Sequence, residues 1–173
     1  MSGCQELGSN SLQSLSTYAS YHRNPANIAT HFVGIPMIFF SVVLLLSKPL
    51  AMQDAWLPIT PALIAAIPSA IFYLRLDRLL GLIMVAMLVL CMKASANIVG
   101  DGSSNWVITG VVLFVVGWIF QSIGHVIEGR KPAFLDDLVG LLIGPLFIVA
   151  ETGFMLGVWK KLKSDVEANL KTF

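Results

Sequence analysis

Residues 28–47 read IATHFVGIPMIFFSVVLLLS, twenty positions with no acidic or basic side chain and one imidazole, His31, in an otherwise apolar run. About 20 such residues are what an α-helix needs to cross the ~30 Å hydrocarbon core of a bilayer. The approach to this run carries helix-start chemistry, since Asn24 can cap and Pro25 suits the first helical position. Pro36 should kink the helix, because it removes a backbone donor. Further candidate spans follow at Leu57–Leu74, with Pro58 and Pro61 at its start and Pro68 inside, at Leu79 to about Val99, and at Trp106–Ile127. Pro68 predicts a bent or partly unwound second span. Arg75, Asp77 and Arg78 form a very short turn between the second and third spans, and Gly100–Asn105 reads as a loop. A fifth run, Val139–Trp159, is interrupted by Gly144, Pro145, Glu151 and Gly153, so it either spans or enters and returns.

Composition agrees with a chain solvated by lipid. Of 173 residues, 56% are hydrophobic and 12% charged, and the mean hydropathy is +0.79. That is about half the charge of an ordinary soluble domain, too little to cover a water-facing surface. The net charge of +1 excludes the concentrated basic face that nucleic acid requires. Cys4 stands in a polar segment and Cys91 in an apolar one, which argues against a disulfide. Residues 1–20 lack the basic and apolar regions of a secretory signal, and are expected to form either an amphipathic surface helix or a mobile arm.

The positive-inside rule sets the expected topology. With four full spans, Arg23, the Arg75/Arg78 turn, Arg130 and Lys131, and the basic tail at 160–173 (Lys160, Lys161, Lys163, Lys171) share one side, leaving Lys48 and Lys93 on the other. A fifth full crossing would move the four tail lysines and erase the bias. The fold class expected is therefore an all-α integral membrane protein, a compact bundle of four transmembrane helices plus a fifth re-entrant or tilted segment, with both termini cytoplasmic. Short neutral loops and the lack of an organelle-targeting signal favour a bacterial inner membrane over the endoplasmic reticulum.

This topology puts all three histidines at one depth. His22 and His31 flank the start of the first span, and His125 ends the fourth. Polar groups at membrane depth are costly and tend to face the bundle interior. Around them lie Tyr18, Tyr21, Asn24, Asn27, Gln121 and Glu128, with Glu128 three residues after His125 and so on the same helix face. His22 and His31, nine apart, fall on opposite faces of one unbroken helix, and converge only if the chain turns near Pro25. From the residues alone two readings stand: a metal site, or imidazoles that satisfy hydrogen bonds at an interface. Glu151 is open in the same way, as a site wall or ligand, or as a partner for a neighbouring helix. Arg23, Arg130 and Lys131 read as headgroup anchors with a second possible role in holding an anionic substrate. Asp136 and Asp137 are placed to cap the last apolar helix.

Two blocks carry a family resemblance. Residues 18–36, YASYHRNPANIATHFVGIP, and 117–138, GWIFQSIGHVIEGRKPAFLDDL, combine Tyr-x-x-Tyr-His-x-Asn-Pro-x-Asn and His31 with Gln-x-x-Gly-His and Lys-Pro-Ala. They resemble the signature blocks of the Mpo1-like family, and Phe-Ile-Val-Ala-Glu, ending at Glu151, resembles its last segment. The resemblance implies an iron(II)-dependent dioxygenase that shortens long-chain 2-hydroxy fatty acids by one carbon, as the characterised fungal member does in the endoplasmic reticulum. It carries iron binding to His22, His31 and His125. Arg23 stands where the fungal protein has a second adjacent histidine, so Glu128, Glu151 or water is expected to complete the sphere. Three imidazoles leave three octahedral positions, two for the carboxylate and hydroxyl of the substrate and one for dioxygen. Arg23, Arg130 and Lys131 would offset the carboxylate, and Asn24, Asn27 and Gln121 are further candidates to contact substrate. The rival readings are a non-enzymatic lipid-binding or scaffold protein, and a membrane hydrolase using Zn(II) in place of Fe(II).

Overall fold

The computed structural model describes residues 3–50, 59–100, 105–130 and 139–170, those before Ser11 for the backbone alone. Among them the chain is helical: α1 (Gly3–Ser20), α2 (Pro25–Leu45), α3 (Pro61–Leu76), α4 (Arg78–Gly100), α5 (Asn105–Glu128), α6 (Gly140–Met155) and α7 (Lys160–Leu170). The spans 28–47, 57–74, 79–99 and 106–127 correspond to α2 to α5.

Local chemistry sets the helix ends. The Asn24 side chain accepts from the backbone N–H of Ala26 at 2.9 Å and Pro25 opens α2, as its sequence predicts. Thr60 does the same for α3, accepting from Leu63 at 3.0 Å ahead of Pro61. One extended residue, Asp77, separates α3 from α4, and its carboxylate accepts from the Leu80 N–H at 2.8 Å. Gly81 makes this hairpin tight, because a Cβ there would lie 2.6 Å from the Tyr73 carbonyl oxygen. Both α2 and α3 run as single helices through Pro36 and Pro68, so neither proline unwinds its span.

The central pair is α2 and α5, packed antiparallel. Gly110, Gly117 and Gly124 recur every seven residues on α5 and meet Leu45, Gly34 with Ile38, and Asn27 with Thr30. Small residues let membrane helices approach backbone to backbone. A Cβ on Gly117 would lie 2.9 Å from the Gly34 carbonyl oxygen, which fixes how close the two helices run.

Among the described residues three helices, α2, α4 and α5, are long and apolar enough to cross a membrane, and only 33%, 28% and 22% of their apolar windows are buried. Many of the other residues are exposed apolar side chains, as lipid solvation requires. α3 is shorter, with 16 residues or about 24 Å of rise, and it turns Ile64, Ile67 and Ile71 outward.

The fifth apolar run departs from a simple span. Its helix continues through Gly144, Pro145, Glu151 and Gly153 and stops at Met155, then bends by 117° into α7. Gly157, at φ 72°, makes the turn, and Trp159 folds back over Gly153. α6 is the most enclosed helix, with Leu146, Phe147 and Ala150 in the core. Leu15, Tyr18 and Ala19 of α1 and Val166 of α7 share that core, so the N-terminal segment packs as a helix against α6 and the basic tail as a helix against α1. Val139 precedes α6 without a side-chain cap. Asp136 and Asp137, offered above as caps, and most of the Gly100–Asn105 loop lie outside the described residues.

Candidate metal centre

His22 sits in the short non-helical link between α1 and α2, where Asn24 and Pro25 end one helix and start the next. This turn solves the nine-residue problem. The ring folds back so that His22 Nε2 lies 3.0 Å from His31 Nε2. His125 comes up from the last turn of α5, with its ring centroid 5.2 Å from His22 and 5.0 Å from His31. All three are buried, and one ring nitrogen from each falls within 4.8 Å of the others.

Hydrogen bonding fixes the tautomers. His22 Nδ1 donates to the Tyr18 carbonyl at 2.7 Å and His31 Nδ1 donates to the Asn27 carbonyl at 2.9 Å. Each neutral ring then presents an Nε2 lone pair to the other across 3.0 Å. Two facing lone pairs repel unless a proton or a cation lies between them. His125 Nδ1 is buried near the Arg130 backbone, with no hydrogen bond of ordinary geometry among the described residues. Desolvation by burial holds the His22 imidazole at about 4, against the opposing pull of the Tyr18 carbonyl, so the ring stays neutral at pH 7. Neutral, oriented imidazoles whose second nitrogen is engaged elsewhere form the donor set of a divalent metal. The 3.0 Å separation also suits two ligands at a right angle around one ion with bonds of about 2.1 Å. The residues present therefore fit an iron or zinc ion.

The carboxylates take other parts. Glu128 accepts from the backbone N–H groups of Arg23 at 3.1 Å and Asn24 at 2.8 Å and from Asn27 Nδ2 at 3.0 Å. It clamps the end of α5 to the start of α2 and adds a negative charge at a helix N-terminus. Glu151 sits on α6 with Lys163 and Glu167 of α7 as its charged neighbours. Among the described residues, the histidine trio is thus assembled without a carboxylate among its mutually close atoms. Replacing Glu128 with Ala removes three acceptor contacts that include two backbone donors. It is expected to cost about 1–3 kcal/mol, read as a lower unfolding temperature in detergent, with Glu128→Gln intermediate.

The remaining candidates divide by position. Asn24 is the α2 cap and Asn27 joins the Glu128 clamp, with Asn27 Oδ1 buried and unpartnered. Arg23 is exposed, and Arg130 donates to the Ser20 carbonyl at 3.0 Å. Lys131 lies outside the described residues. Gln121, one and a half turns before Ile127 on α5, lines an apolar cavity of about 370 Å³ whose lining also includes His125 and Tyr18. Tyr18 stacks on the His22 ring, centroids 4.3 Å apart and planes within 10°. Sequence reasoning placed Tyr18 near the site without giving it this contact. It also missed the glycine seam, whose seven-residue spacing at Gly110, Gly117 and Gly124 was the available signal.

Comparison with known proteins agrees with this architecture. The family model described as "2-hydroxy-palmitic acid dioxygenase Mpo1-like" matches residues 9–156. A Saccharomyces cerevisiae protein named 2-hydroxy-palmitic acid dioxygenase MPO1 is 31% identical over 159 residues, covering 91% of this chain and 87% of its own. No solved structure matches the chain. A match that runs from within α1 to the end of α6 and takes in every histidine, together with a relative similar over nearly its whole length, establishes that the chain belongs to the Mpo1-like family.

Proposed function

We propose that this protein is an iron(II)-dependent dioxygenase that removes C1 from long-chain 2-hydroxy fatty acids within the membrane, in fatty acid alpha-oxidation. The observation that carries the reading is the convergence of three buried imidazoles, one of which, His125, also lines an apolar cavity. Similarity to a protein named as a 2-hydroxy-palmitic acid dioxygenase supports the substrate class.

Iron(II), when bound, supplies the binding and reduction of dioxygen. His22, His31 and His125 would hold it. Three neutral ligands leave the charge of a divalent ion uncompensated in a buried site, and an anionic 2-hydroxy acid offsets that charge as it binds. Arg23, Arg130 and Lys131 are proposed to meet the carboxylate at the polar rim. Gln121 offers an amide to the head group, and Asn24 and Asn27 hold the turn that aims His22. The overall reaction balances without a second reductant: the 2-hydroxy acid and one dioxygen give the acid one carbon shorter, carbon dioxide and water. The substrate thus supplies all four electrons. We further infer a bacterial inner-membrane location with both termini cytoplasmic, on the Lys/Arg asymmetry.

The test incubates iron-loaded protein with 2-hydroxypalmitate under air. The expected products are pentadecanoic acid and carbon dioxide, with one dioxygen consumed per turnover and none by metal-free protein. Protein that retains zinc, takes up no oxygen and hydrolyses an ester would overturn the reading in favour of a hydrolase.

A further inference from the structure

The cavity is a slot with two chemically different ends. One end holds His125, Gln121 and Tyr18. Gln121 is 6% exposed and lines this end, with its Nε2 packed against Gly34 rather than open to the slot. With His125 and Tyr18 it gathers polar side chains at this end of an otherwise mostly apolar lining. The other end is closed by Val43, Ala62 and Leu88, a separate buried cluster beneath Leu46. Between the ends the wall on α3 is made of Ala62, Ala65, Ala66 and Ser69, spaced to share one helix face. Their small side chains leave the space that the large Phe114 and Trp118 of α5 do not fill. Ala65 lies at the edge of that face, exposed while lining the slot, which fits a slot that opens sideways toward lipid.

The length of the slot follows from helix geometry. The α5 lining runs from His125 to Phe114 and the α2 lining from Ile35 to Leu46, and because Gly124 packs at Asn27 and Thr30 while Gly110 packs at Leu45, the two stretches are offset along the slot. From the level of His125 to Val43 is about 15 helical positions, about 22 Å of rise, or about three quarters of the ~30 Å hydrocarbon core and enough for a long acyl chain. The slot therefore matches a single long alkyl chain with a polar head at the His125 and Gln121 end.

We propose that this slot measures the acyl chain: its head lies between Gln121 and the histidines, its methyl end abuts Val43, Ala62 and Leu88, and chains enter laterally from the bilayer past Ala65. Ala62 then sets the longest chain accepted. The choice of a 2-hydroxy acid as ligand rests on the dioxygenase reading, whereas the slot and its closed end do not.

Binding to metal-free protein tests the slot without chemistry. Photoreactive 2-hydroxy fatty acids of ten and sixteen carbons, each with a diazirine near its methyl end, are cross-linked to the full chain in lipid nanodiscs and the labelled peptides mapped. The sixteen-carbon probe is expected to label the segments around Val43–Leu46 and Ala62. Each buried methylene is worth about fourfold in affinity. Ala62→Phe, which excludes two or more of them, should weaken the sixteen-carbon ligand about tenfold or more and change the ten-carbon ligand less than about twofold. Ala65→Trp, at an exposed position where folding is not at stake, should block the mouth and reduce labelling by both probes. Labelling confined to the outward Ile64, Ile67 and Ile71, or sixteen-carbon affinity unchanged in both variants, would overturn the proposal. Oxidation of 2-hydroxypalmitate with no chain-length effect at Ala62 would remove the slot and keep the enzyme. Length-dependent binding without oxygen uptake would do the reverse.

Discussion

His125→Ala is expected to reduce bound metal from about one ion per chain to near zero, and to lower product formation by roughly a hundredfold or more. The geometry makes this loss severe, because three imidazole nitrogens within 4.8 Å are the whole of the close donor set among the described residues. The two that remain, His22 and His31, face each other at 3.0 Å but leave one side of the site open. Elemental analysis of anaerobically purified protein, paired with oxygen uptake on 2-hydroxypalmitate, checks both halves. His125 lies outside the glycine contacts that join α5 to α2, so the variant should still fold, which a thermal unfolding curve would show. Wild-type metal content in His125→Ala would mean that the three rings do not share one ion.

Gly124→Ala is expected to do comparable damage from a position that bears no ligand. A Cβ at Gly124 would overlap Thr30 Oγ1 and Asn27 Oδ1 and lie 3.2 Å from His31 Nδ1. Both overlapped side chains are short and anchored, Thr30 to the Asn27 carbonyl and Asn27 to Glu128. Neither can swing away freely, so α5 must move off α2. Overpacking of this kind costs about 1–3 kcal/mol, and at about 2–4 °C per kcal/mol for a chain of this size the unfolding temperature should fall by several degrees. Because the displaced helix carries His125 and the crowded one carries His31, metal affinity should fall with it. Gly100→Ala provides the contrast, since a Cβ there meets nothing within 4 Å and should leave both properties unchanged.

Much of this was legible in the sequence for definite reasons. The helix starts at Pro25 and Pro61 could be read because capping and proline placement are local rules. The common depth of the histidines could be read because an up-and-down topology fixes which helix ends are neighbours. Their convergence was conditional, since it needed the break between Ser20 and Pro25 to redirect His22. Glu128 illustrates what could not be read. Its spacing from His125 puts the two on one helix face, but its carboxylate turns to backbone donors on another helix, and no sequence pattern announces a partner 104 residues away. The fifth run was ambiguous for a different reason. Its apolarity is the same whether it faces lipid or core, and only packing against α1, α2 and α4 shows that it is core.

The hydrogen bonds that orient His22 and His31 have a bearing on how such a site withstands mutation. In many metal centres the outer nitrogen of each imidazole is held by a carboxylate side chain, which a single nucleotide change can delete. Here both outer nitrogens are held by main-chain carbonyls, of Tyr18 and Asn27, each four residues upstream of the ring it orients. Any residue at position 18 or 27 that leaves the backbone in place still supplies that oxygen. The tautomer of each ring is therefore encoded by helix register rather than by side-chain identity. Side chains that only surround these two rings can change without rotating them, so the vulnerable positions in a mutational scan should be the rings themselves, the glycines that set the helix spacing and the Glu128 clamp on the turn.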